Sequence, residues 1–174
     1  MSSARPTNSA VRGCLDACSR CERVIDAITP DIYCNALPGR HPIGSHLRHT
    51  VEHFQCFLAG VPSGLVDYDA RARDEELERG VDRFREVLDE VRAGLMALDR
   101  EPGSRPIRVR QTASLDSDPI ILESTLQREL AFLSSHTVHH LALVVHLCRE
   151  HGVDLPEDIS LAFSTAAHRQ ATAG

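Results

Sequence analysis

Tryptophan is absent and aromatic residues make up only 4% of this 174-residue chain. That is too few for the stacked rings on which single-stranded nucleic acid is held. No cluster of cationic side chains stands out, and the formal net charge is -6. Nucleic acid and anionic membrane surfaces are therefore not expected as partners. Uninterrupted apolar runs last only a few residues, against the roughly 20 needed to span a bilayer. The opening stretch, MSSARPTNSAVRG, has no apolar signal core and reads as a disordered lead-in over residues 1–9. A cytoplasmic protein is expected.

The length suits one domain with a proper core and is short for two. The domain is expected over residues 10–165, followed by a flexible tail over 166–174. Six cysteines are present: Cys14, Cys18, Cys21, Cys34, Cys56 and Cys148. Without an export signal they read as free thiols.

Periodicity predicts four helices. From Asp74 to about Asp99, the residues Leu77, Val81, Phe84, Leu88, Val91, Leu95 and Leu98 keep an unbroken alternation of four- and three-residue steps, the seam of a long bundle helix. A first helix runs from about Ala10 to Thr29 and stops at Pro30. A second begins near Pro42, a favoured first-turn residue, and ends at Gly60 and Pro62. The last opens at Ser124, with Gln127 completing a capping box, and closes at Gly152. Glu101 to Glu123 is rich in proline, glycine, serine and aspartate; its IRVRQT and PIIL runs suggest a short hairpin. The tail after Pro156 suggests a short helical turn and a loose end. The fold class expected is all-α, an antiparallel four-helix bundle with one long connection.

Seven of the ten histidines (His46, His49, His53, His136, His139, His140 and His146) lie on two of these helices, before the closing turn at His151 and Gly152. In SSHTVHHLALVVH (Ser134–His146), His136 and His140 are one turn apart, about 40° on a helical wheel, on the face that carries Leu133, Val144 and Leu147. Buried imidazoles need polar partners, and an i,i+4 histidine pair is a common way to offer two ligands to a divalent metal. Glu129, on the same stripe, is a candidate further ligand, outer-sphere acceptor or general base. In the second helix, IGSHLRHTVEHFQC places His46, His49, His53 and Cys56 within about 80° of one another. Two histidines from one helix and one from the other make a three-nitrogen shell with an open fourth position. Leu47, Val51, Phe54 and Leu58 form an apolar stripe on the opposite face. The helix is therefore either buried on both sides or lines a cleft with its histidines.

Cys14, Cys18 and Cys21 spell C-x3-C-x2-C, the spacing of a radical SAM cluster loop, yet they sit inside a helical pattern on one face with Val11 and Ile25. Buried free cysteine behaves as a small hydrophobe, so a core stripe is the expected role, with a second metal or iron–sulfur cluster as the alternative. In VDYDARARDEELE (Val66–Glu78), acidic residues suit a solvated helix entry; Arg71 or Arg73 could otherwise hold an anionic substrate group.

The segments IGSHLRHTVEHF, VDYDARARDEELE and STLQRELAFLSSHTVHHLALV, and more weakly LAFSTA, resemble the DinB/YfiT-like family of metal-dependent enzymes, over about Ile32 to Thr165. The resemblance implies a four-helix bundle, often a homodimer, with a divalent metal held by three histidines. By position in the motifs these are His49, His136 and His140. It adds His46 as a residue able to line the site, and leaves His53 and His139 unassigned. Some relatives act with low-molecular-weight thiols, and others look like hydrolases. The expected function is thus a metal-dependent hydrolase or thiol-dependent transferase acting on a small molecule, with zinc expected and nickel, iron or manganese as alternatives. His46 or Glu129 is the expected general base. The competing expectation is a non-catalytic metal-binding or redox-sensing protein that uses the histidines together with the Cys14, Cys18 and Cys21 face.

Overall fold

The computed structural model describes residues 7–172. They form α1 (Ser9–Ala27), α2 (Pro30–Cys34), α3 (Ile43–Gly60), β1 (Leu65–Asp67), α4 (Glu75–Arg79), α5 (Val81–Ala97), β2 (Pro106–Gln111), β3 (Ile120–Thr125), α6 (Leu126–Glu150) and α7 (Phe163–Thr172). Residues 1–6 of the expected lead-in lie outside the described residues. The side chain of Asn8 caps α1 by accepting from the Ala10 and Val11 amides, and its own amide donates to Asp99.

The four long helices pack in pairs: α1 and α3 each lie against both α5 and α6. The reason is in their apolar stripes. On α1, Val11, Cys14, Cys18, Cys21 and Ile25 are buried, and on α3 so are Leu47, Val51 and Phe54. The thiols are free and sit in the core as small apolar groups. Cys14 donates to the Leu130 carbonyl of α6 at 3.1 Å. Among the described residues, no cysteine joins a cluster of candidate metal ligands.

The expected single helix from Asp74 is two helices. Asp74 caps α4, and the chain is extended at Gly80 (φ -115°, ψ 109°) before α5 begins. Glycine tolerates this break, because the extended conformation forfeits little that a helical glycine would have kept. The hydrophobic seam survives the break: Leu77, Phe84, Leu88, Val91 and Leu95 are all buried, with Val81 and Leu98 packed against them. The cap of α6 is Thr125, whose hydroxyl accepts from the Arg128 amide, and not Ser124. Ser124 is drawn instead to Glu129.

The expected hairpin forms, with β2 and β3 antiparallel and Ile107 opposite Ser124. The fold is not all-α, however. β1 adds to β2 in parallel, Val66 opposite Val109, and gives a mixed sheet in the order β1-β2-β3. A strand of three residues carries no readable alternation, and parallel pairing across a long connection leaves no local signal. Val66, Ile107 and Val109 turn into the core.

After a single 3-10 turn at Glu157–Ile159, residues 163–172 form α7 where a loose end was expected. Arg20 of α1 donates to the Leu161 carbonyl at 2.7 Å and lies over the Phe163 ring. α6 is long and apolar enough to cross a membrane by length and composition. Its core face, from Leu126 to Cys148, packs on α1 and α3 and includes the buried Glu129.

Gly44, in the first turn of α3, shows how tightly that helix is seated. A Cβ there would collide with the Glu78 carbonyl oxygen and lie 2.7 Å from Cε1 of Tyr33. Tyr33 is itself fixed, donating its hydroxyl to the Leu77 carbonyl at 2.6 Å. Gly44→Ala is expected to cost about 1–3 kcal/mol by overpacking. Urea unfolding of the two proteins measures the loss; an unchanged midpoint would show that α3 shifts freely.

Candidate metal centre

The histidines of α3 and α6 meet where those helices cross. His49, His136 and His140 each present a ring nitrogen, and the three nitrogens lie within 4.8 Å of one another. Nε2 of His49 and Nε2 of His136 are 3.1 Å apart. Two nitrogens bound tetrahedrally to one zinc at ordinary lengths stand about 3.3 Å apart. The donor set, three neutral imidazoles and no carboxylate, therefore fits a divalent ion of the zinc type in both chemistry and spacing. All three rings are half-buried. On the histidine face of α3, His46 and His49 are half-buried and His53 is buried, while the opposite face is closed in the core.

Burial holds these imidazoles neutral. Loss of water is the main cause of the lowered proton affinity at each ring. It is reinforced at His49 by His53 and His140, at His136 by His53, and at His140 by His136. His49 is brought down to about 3, and His136 and His140 to about 4. A neutral imidazole is the form that ligates.

His46 stands at one edge. Its Nδ1 is 3.4 Å from Nδ1 of His140. His53 stands at the other, its ring centroid 4.4 Å from that of His49 and 4.5 Å from that of His136. Its hydrogen bonds fix its tautomer. Nδ1 lies 2.7 Å from the His49 carbonyl, which can only accept, so Nδ1 carries the proton. Nε2 lies 3.1 Å from Nη1 of Arg71, which can only donate. The lone pair a fourth histidine ligand would use is therefore already engaged. His139 is exposed and edge-on to His140. His146 is exposed and pairs with Glu150 at 3.1 Å. Cys56 opens into a separate cavity of about 430 Å³ that it shares with Glu52, Gln55 and Asp67.

Glu129 is not brought to the cluster. It is fully buried, and its carboxylate accepts from the Tyr68 hydroxyl at 2.9 Å, from Arg128 at 2.8 Å and from Ser124. Three donors hold the carboxylate, and one of them, Tyr68, lies between it and the histidines. The Tyr68 ring stacks on His53 and packs on Phe132, and Phe132 stacks on His136. Sequence reading missed this aromatic backing. Phe132 was accessible to it, one turn before His136 on the same helix; Tyr68 was not, since only the sheet brings it there.

The sheet carries that loop into place. Beyond β1 the Tyr68 amide donates to the Arg110 carbonyl at 3.4 Å, and the Asp67 carboxylate pairs with Arg110 at 2.6 Å. Asp69 accepts from the Thr112 amide. Further along, the buried Glu52 of α3 accepts from the Asp74 amide at 2.8 Å. Both ends of the Tyr68–Asp74 loop are thus pinned, with Arg71 held over His53 between them.

A stretch of 105 residues, 60% of this chain, is 27% identical to FK506-binding protein 5 of Rhizopus delemar, and spans 27% of that protein. The chain thus covers about a quarter of the curated relative it matches. No solved structure matches it. The pattern of the DinB superfamily matches residues 17–144, a span that includes all three clustered histidines, and the chain belongs to that superfamily.

Proposed function

We propose that this chain is a divalent-metal enzyme, a hydrolase or thiol-dependent transferase acting on a small molecule, built on an antiparallel four-helix bundle. The observation that carries the reading is the convergence of three neutral imidazoles, from two helices, with no carboxylate among them. His49, His136 and His140 are the ligands. A divalent ion held by three histidines, zinc first among the candidates, lowers the pKa of water or a thiol at its open position towards neutrality. The protein supplies orientation and proton handling. His46 covers Nδ1 of His140 at 3.4 Å, accepting its N–H so that Nε2 of that ring is left to ligate, and acts through this contact as a positioning residue. The cytoplasm is the proposed location and a homodimer the proposed assembly.

The alternative sensor that combines histidines with cysteines is disfavoured by geometry: Cys14, Cys18 and Cys21 are buried in the core, and among the described residues none of them joins the histidine cluster. The Cys14 and Cys21 thiols are pushed up to about 12, chiefly by burial, and stay protonated, whereas a metal or an oxidant needs the thiolate.

Three measurements test the reading. His136→Ala and His49→Ala each remove one of three ligands, and elemental analysis is expected to find about one zinc or similar ion per wild-type chain and none in either variant. Stoichiometric metal in a variant refutes the assignment. Replacing Cys14, Cys18 and Cys21 together by Ala is expected to lower stability without changing metal content; lost metal would restore the cysteines as ligands. The third is pH. In chelator, the folded rings bind protons less readily than the unfolded ones, which titrate near 6.5. Folding stability is therefore full above about pH 6.5 and falls as the pH drops towards 4, because the unfolded state takes up protons first. Thermal midpoints that stay flat from pH 7 to pH 4.5 would show that the rings are not held neutral.

A further inference from the structure

Carboxylates outnumber basic side chains in this protein, 25 to 19, and every basic one is arginine. Most of the partly buried arginines have found an acid: Arg48 pairs with Glu78 at 2.7 Å, Arg92 with Glu22 at 2.7 Å and Arg105 with Glu101 at 3.0 Å. Arg71 has not. It is half-buried beside the histidine cluster, and among the described residues no carboxylate pairs with it. The acids nearest in sequence are turned elsewhere, Asp67 to Arg110, Asp69 to the Thr112 amide and Asp74 to the Glu76 amide.

The guanidinium is nonetheless held at one end. Nη1 donates one hydrogen to Nε2 of His53 at 3.1 Å and the other to the Tyr68 carbonyl at 3.1 Å. A guanidinium has five N–H donors. Both on Nη1 are used; the hydrogens on Nε and Nη2 have no partner among the described residues. Nε and Nη2 form the edge of the fork that fits a planar carboxylate with two parallel hydrogen bonds. His53 thus has a double effect: its committed Nε2 keeps it out of the ligand set, and the same contact fastens Arg71 to a ring whose centroid lies 4.4 Å from that of His49 and 4.5 Å from that of His136.

We infer that Arg71 is the anchor for a carboxylate on the molecule that binds the histidine centre, with His53 and the Tyr68 carbonyl as the residues that position it. This rests on the metal reading above. A monocarboxylate suits the site better than a phosphate: one cation with a single free two-donor edge matches one negative charge, and no lysine exists to help with a second. Substrates of this centre are accordingly small acids, or thiols that carry a carboxylate a few bonds from sulfur.

The test uses the full chain loaded with Co²⁺, whose thiolate charge-transfer absorption reports a thiol at the metal. Two probes of equal length are compared, 3-mercaptopropionate and 3-mercapto-1-propanol, one ending in a carboxylate and the other in a hydroxyl. A charge-assisted hydrogen-bonded pair predicts roughly tenfold tighter binding of the acid by the wild type. In Arg71→Gln the preference is expected to disappear while the cobalt band and the affinity for the alcohol persist; Arg71→Lys should restore only part of it. His53→Gln is expected to keep cobalt and weaken the preference. Equal affinities in the wild type, or a preference that survives Arg71→Gln, overturns the anchor, and loss of cobalt in His53→Gln overturns the positioning role. Failure of the wild type to bind cobalt refutes the metal reading separately. In that case propionate is titrated into the metal-free protein and followed by the ring-proton resonances of His53. A shift present in the wild type and absent in Arg71→Gln supports the anchor, and no such difference overturns it.

Discussion

The crossing of α3 on α6 puts five half- or fully buried imidazoles in mutual contact, and the rest of the candidate site is arranged around keeping them there uncharged. Five protonated rings in that volume could not coexist, since like charges a few ångströms apart in a poorly solvated setting repel strongly. Burial and mutual repulsion therefore select the neutral forms. Neutral rings still need hydrogen-bond partners. His53 meets the need with the His49 carbonyl and Arg71, His140 meets it with His46, and the facing nitrogens of His49 and His136 are left to each other or to a shared cation.

That crossing depends in turn on the apolar side chains the two helices bury. α3 has Leu47, Val51 and Phe54 in the core and a glycine where it meets Glu78 and Tyr33. α6 has Leu126, Leu130, Leu133, Leu141 and Val144 buried. Apolar packing of this kind tolerates little change in volume, so helix separation is set by the core and the ring spacing follows from it.

The small sheet has a different part. It contributes little to the core beyond Val66, Ile107 and Val109, yet it determines where the chain goes after α3. By pairing β1 with β2 it delivers Tyr68 to Glu129 and Arg71 to His53. A loop anchored through backbone bonds and buried carboxylates at both ends is well suited to hold a cation beside the centre. An unpinned arginine would lose much of any binding contribution to side-chain entropy.

Much of this was legible without coordinates. The long helices, the hairpin and the apolar stripes follow from periodicity and breakers, since one face of each helix has to be buried. The i,i+4 spacing of His136 and His140 puts both on one face by helix geometry alone. Choosing His49 over His46 and His53 required the family resemblance, because all three lie on the same arc of the wheel. Only tertiary structure decided the rest. Nothing local announces β1, whose partner is distant in the chain. Glu129 shares a stripe with the histidines, yet it is turned away by Tyr68, Ser124 and Arg128, two of which come from outside its helix. Arg71 reads in the sequence as one more solvated charge at a helix entry. Its lack of an acidic partner is a property of which carboxylates the fold directs elsewhere, and a one-dimensional pattern holds no record of that.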